Sequence, residues 1–138
     1  MPNFSGSYHT KLGSQTIMAV PGGTDHVIGV SVVSGTQNSP DPDWNGALCT
    51  VWGTADTVGG NGEQRGYFSN ERRNGDLDYG TFEAKVTMSG NEATMSGTWR
   101  FSGGTGKFAK ITGNGAFNAK QTSPTESDLT WSGTYNLG

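Results

Sequence analysis

Cysteine, histidine and long apolar runs are what this chain of 138 residues has least of. Its single cysteine, Cys49, excludes an intramolecular disulfide. The two histidines, His9 and His26, stand in no metal-ligand spacing, so no metal site is expected. Neither a charged leader with an apolar core nor an apolar run of membrane-spanning length occurs, which predicts a cytoplasmic protein with no membrane partner. The nine Lys and Arg are dispersed and the net charge is −3, so nothing marks a nucleic-acid surface, where cations cluster. No window carries apolar residues at i, i+3, i+4 and i+7 with helix caps, and almost no helix is expected.

Nucleotide chemistry is excluded in the same way. A phosphate-binding loop at Gly103-Gly104-Thr105-Gly106-Lys107 would need glycine at 101 and Ser or Thr at 108, and both positions are phenylalanine. The run lies between strand-like segments, with no helix N-terminus to hold a phosphate. There is no G-x-S-x-G elbow and no dinucleotide fingerprint, and no cofactor is expected.

What is abundant is glycine: 23 residues, scattered among Thr, Ser and aromatics through alternating segments. That mixture suits a twisted all-β domain better than disorder, and the length suffices for one core. The organising stretch is residues 97–117, GTWRFSGGTGKFAKITGNGAF, two strand-like runs joined by a glycine-rich corner. Just upstream, Ser89-Gly90-Asn91-Glu92 has glycine at the first central position of a two-residue hairpin, the type II′ signature. Counting outward sets Val86 against Met95, Ala84 against Gly97, Phe82 against Trp99 and Gly80 against Phe101 on an apolar face. Lys85, Glu83 and Thr81 then meet Ser96, Thr98 and Arg100 on a polar one. A slip of one residue would reverse the faces.

Elsewhere the pairing has alternatives. Arg73-Asn74-Gly75 closes either a two-residue turn or a three-residue one with Gly75 left-handed. The three-residue turn, preferred here, sets Phe68 against Gly80, Gly66 against Phe82 and Arg65 against Glu83; the other would face Glu71 with Asp78 inside. Residues 36–46, TQNSPDPDWNG, read as a loop whose Trp44 is either tucked onto the body, the preferred reading, or part of a lid. Further strands are expected at 4–9, 15–20 before Pro21-Gly22-Gly23, 26–34, 47–58, 111–119 and 127–137. The total is eight or nine antiparallel strands in a single domain, and an up-and-down β-barrel closes them without a free edge.

The run Gly104-Thr105-Gly106-Lys107-Phe108, with Ile111, Gly113, Gly115 and Phe117, then Thr122-Ser123, Thr125-Glu126 and Trp131-Ser132-Gly133-Thr134-Tyr135, carries a resemblance. It resembles the C-terminal signature of small bacterial proteins related to the allene-oxide-cyclase-like and dirigent-like barrels, over about the last two-fifths of the chain. The resemblance implies an eight-stranded barrel with an apolar cavity. Its group includes cyclases of plant lipid epoxides, bacterial polyketide cyclases and members with no known activity.

From the residues alone, the inner face gathers Phe68, Phe82, Trp99, Phe101, Phe117 and Trp131 as candidate ligand-binding side chains. An interior of this size either just fills or holds one small ligand, and both readings stay open here. Aromatic walls with few polar groups suit an apolar or aromatic small molecule. The candidate catalytic groups are Tyr8 and Tyr135, with hydroxyls inward, and Asp78, which desolvation would make a general base. Against Asp78 stands a solvated turn in which Arg72 or Arg73 pairs with Asp76. His9 falls on the outer face and Cys49 reads as a small buried hydrophobe. Three functions are consistent with this: a cofactor-independent isomerase or cyclase, a non-catalytic carrier, or a filled barrel acting through its surface as a homo-oligomer or inhibitor.

Overall fold

The computed structural model describes residues 2–22 and 25–138. Eight antiparallel strands close into one barrel: β1 Asn3–Ala19, β2 His26–Thr36, β3 Leu48–Val58, β4 Asn61–Glu71, β5 Leu77–Ser89, β6 Glu92–Gly104, β7 Thr112–Ser123 and β8 Glu126–Asn136. Each strand pairs with its sequence neighbours and β8 returns to β1, so no ladder is left open. Gly23, assigned by the sequence to the turn after β1, lies outside the described residues.

The β5–β6 register is the one counted from the turn: Val86 faces Met95, Phe82 faces Trp99 and Gly80 faces Phe101. Gly90 has φ 63 while Asn91 keeps a negative φ, as a type II′ turn requires. Between β4 and β5 the three-residue turn forms. Phe68 faces Gly80, Arg65 faces Glu83, and Gly75, at φ 89, donates its N–H to the Arg72 carbonyl at 2.9 Å. Asn70 rather than Glu71 therefore stands opposite Asp78.

A period-two count fails at several places, with register shifts also at Tyr79/Gly80 and Gln121/Ser123. β1 is one strand of 17 residues where the sequence suggests two, because Gly13 is a bulge: Leu12 faces Val33 and Ser14 faces Val32. The extra residue shifts the phase, so Tyr8, Thr10 and Leu12 point inward before it, and Gln15 and Ile17 after it. Past β6, Gly106 at φ 55 opens a single 3-10 turn, Gly106–Phe108, which lays Phe108 and Ile111 over the barrel end.

That end is closed. Phe4, Trp44, Phe101, Phe108, Ile111 and Tyr135 pack there, with the Phe4 ring edge-on to both Trp44 and Tyr135 at centroid distances of 4.6 Å. Each such contact adds roughly 0.5–1.5 kcal/mol beyond area burial. Trp44, 1 % exposed, is tucked in as the main stopper. The loop that carries it folds back because Gln37 N–H donates to the Ala47 carbonyl and Gly46 N–H to the Gln37 carbonyl, both at 2.8 Å.

Candidate functional site

Below the stopper the interior is hollow. A cavity of about 400 Å³ runs from an aromatic floor to the opposite end of the barrel, where the hairpin turns leave it open to solvent. Period-two alternation builds the floor, since Phe68, Phe82, Trp99, Phe117 and Trp131 all sit at inward positions. Towards the mouth the lining changes to small or flexible side chains, among them Ala55, Ala93, Ala119, Met88 and Met95, and these do not fill the width. A glycine helps to set the floor. At Gly115 a methyl group would collide with the Ser132 carbonyl and lie 2.6 Å from Cζ2 of Trp99, so the indole can rest on bare backbone there.

The floor has two chemically distinct sides. Strands β5 to β8 contribute Phe82, Trp99, Phe117 and Trp131, whereas β1, β3, β4 and the loop after β2 contribute Tyr8, Cys49, Asn70 and Gln37. The polar side is held by a chain of hydrogen bonds. Trp131 Nε1–H donates to Gln37 Oε1 at 2.9 Å, Gln37 Nε2 to Asn70 Oδ1 at 3.0 Å, and Asn70 Nδ2 to Asp78 Oδ1 at 2.9 Å. Asp78 Oδ2 accepts from Trp44 Nε1 at 3.1 Å and lies 2.6 Å from Arg72 Nη1.

All six candidate ligand-binding residues, Phe68, Phe82, Trp99, Phe101, Phe117 and Trp131, line the cavity, as does Tyr8. The other two candidate catalytic groups stand apart from it. Asp78 is fully buried behind Asn70 and Arg72, in the closed end, and does not line the cavity. Burial raises its carboxyl above the usual range, and Arg72, Asn70 and Trp44 pull in the other direction. Tyr135 also belongs to the closed end. Its hydroxyl donates to Asp41 Oδ2 at 2.9 Å, and burial followed by that carboxylate pushes it up to about 12.

The salt bridge corrects the expected turn pairing. Arg72 turns inward onto Asp78 instead of pairing with Asp76, its guanidinium lying 3.8 Å from the Phe108 ring centroid, and its Nε–H donates to the Asp43 carbonyl at 2.8 Å. Inward alternation is the reason: Asp78 faces Asn70 inside, and a buried carboxylate recruits the nearest cation.

Tyr8 and Cys49 adjoin each other on the polar side. Burial, with Cys49 adding to it, holds the Tyr8 phenol well above its usual range, and burial pushes the Cys49 thiol up to about 12. Both groups are therefore protonated at neutral pH, able to donate a hydrogen bond and poor as bases or nucleophiles. Among the described residues no three His, Cys, Asp or Glu side chains converge to hold a metal ion. Asn70 was within reach of sequence reading, being two residues from inward Phe68 on one strand. Gln37, in an irregular loop, carried no periodic signal.

The chain matches no protein-family model and no curated protein sequence. Among solved structures it is similar to a pterocarpan synthase dirigent protein, at 14% identity and a TM-score of 0.52, over 97% of this chain and 83% of that one. At that identity the likeness is one of fold alone.

Proposed function

We propose that this protein is a small-molecule-binding barrel whose cavity takes one apolar or aromatic metabolite. The observation that carries the reading is an open volume of about 400 Å³ floored by aromatic rings, within the usual size of small-ligand sites. An interior of this volume argues against a filled barrel working only through its surface.

Catalysis, if the cavity performs it, is a cofactor-independent isomerisation or cyclisation. Tyr8 is the one candidate catalytic group in the cavity lining, and as a neutral phenol it would donate a hydrogen bond or proton to a ligand oxygen while the rings hold the reactive shape. Without that step the protein is a carrier. Likeness to a pterocarpan synthase dirigent protein favours neither, because fold does not carry chemistry.

Native mass spectrometry of protein purified from its own source, followed by denaturing extraction, tests the reading. A bound organic molecule released on denaturation supports it, and incubation of that molecule with fresh protein separates turnover from carriage. Replacing Trp99 or Phe82 by alanine should weaken its retention far more than Arg100→Ala, on the outer face; equal effects would contradict the assignment of the site.

A further inference from the structure

Resting on that reading of the cavity, we propose that the ligand is an uncharged amphiphile held head-inward, with a hydroxyl or carbonyl at the polar side of the floor and an apolar chain leading out through the mouth.

The floor supplies both halves of a hydrogen bond. Asn70 donates one N–H to Asp78, which leaves the second N–H of its carboxamide without an acceptor among the described residues. Its Oδ1 accepts from Gln37 and has a lone pair to spare. The Tyr8 hydroxyl, protonated at neutral pH, both donates and accepts. These groups lie on one side of the floor, and the rings opposite offer only a single donor, the Trp99 indole N–H, with no acceptor beside it. A ligand hydroxyl or carbonyl placed elsewhere in the deep cavity would lose its water for at most that one donor.

Charge is excluded by the same inventory. Among the described residues no Lys or Arg lines the cavity, and Arg72, outside the lining, pairs through Nη1 with Asp78. A carboxylate or phosphate head would be desolvated with no counter-charge. An ammonium head fares no better, because among the described residues the one carboxylate in the lining is Glu126, towards the mouth, where it pairs with His9.

The mouth suits the other end of such a molecule. Ile17 and Met88, 56% and 36% exposed, line it at the hairpin end. A chain leaving past Ile17 and Met88 would cover apolar surface that now faces water.

The test uses the full chain carrying Trp52→Phe, which removes the exposed outer indole and leaves emission to Trp44, Trp99 and Trp131, all in the lining. Calorimetry should show 1-decanol binding at least about tenfold tighter than decanoate or decyltrimethylammonium, the desolvation cost of an unpaired charge deciding the difference. Tyr8→Phe should weaken 1-decanol about fivefold and leave n-decane unchanged, as the loss of one hydrogen bond predicts. Bromine placed beside the hydroxyl, in 2-bromodecan-1-ol, should quench the tryptophans more strongly than terminal bromine in 10-bromodecan-1-ol. Reversed quenching, or decanoate binding as tightly as 1-decanol, overturns this inference while leaving the cavity reading intact. Failure of n-decane, 1-decanol and N-phenyl-1-naphthylamine alike to bind overturns both.

Discussion

Trp131 donates its indole N–H to Gln37 Oε1 at 2.9 Å, and through that bond the last strand holds the loop that stops the barrel. Trp99, on the same floor, has an indole N–H with no partner among the described residues. The two tryptophans therefore answer differently to the same change. Trp131→Phe orphans a buried carboxamide oxygen and should cost about 1–3 kcal/mol more than Trp99→Phe, which removes an unsatisfied donor along with its packing. Urea unfolding of the two variants measures the difference, and equal losses would show that the Gln37 bond contributes nothing.

The Arg72–Asp78 pair is predicted to be costly to break and cheap to remove. Asp78→Asn leaves the Arg72 charge buried without its counter-ion and should destabilise by about 3–5 kcal/mol. The double variant Arg72→Met, Asp78→Asn should lose at least about 1 kcal/mol less than the sum of the single losses, since the two sites are coupled. Strict additivity in denaturant midpoints at constant m-value would contradict the pairing.

His9 gives the β1–β8 seam a pH dependence. Its Nδ1 lies 2.6 Å from Asp128 Oδ1 and its Nε2 2.8 Å from Glu126 Oε1, so both ring nitrogens face carboxylates and the imidazolium is favoured. Asp128 first, then Glu126, raise the histidine above 6.5, and His9 lowers Glu126 below 4.5. A histidine raised on folding lends its stability in full below the unfolded value and loses it as pH rises through the folded one. The carboxylate lends its share above its own unfolded value and loses it as pH falls through the lowered one. The seam should thus be firmest between those limits. Its effect on melting should be small and weaken with salt, because the groups are exposed. A His9 NMR titration midpoint above 6.5, with a flatter alkaline fall of Tm in His9→Gln, is expected; a midpoint at or below 6.5 would remove the effect.

Much of this architecture was legible from local chemistry. Gly90-Asn91 sets a turn type, the turn sets a register, and the register sets Phe82, Trp99 and Phe101 facing inward without any tertiary knowledge. The limits were equally physical. Gly13 interrupts alternation with a residue that looks like any other glycine, so one strand reads as two. Asp78 reads from the sequence as a candidate base near Asn74-Gly75, with a solvated turn as the competing reading, while its depth depends on how the loop bearing Trp44 and the corner bearing Phe108 fold over that end. Which end of a barrel is stopped is a long-range property, and no local pattern reports it. The polar side of the floor is assembled from β1, β3, β4 and a loop, and exists only once the barrel closes.

The central claim is that the interior is hollow and takes a neutral apolar molecule from the hairpin end. Titration of the protein with N-phenyl-1-naphthylamine, an uncharged dye that brightens in apolar surroundings, tests it against Ala119→Trp, which puts an indole into the cavity from its wall. The account predicts saturable binding to the unaltered chain, one dye per barrel, and loss of most of that binding in Ala119→Trp with the fold retained by circular dichroism. Binding that persists unchanged in Ala119→Trp would place the dye outside the barrel and contradict the account.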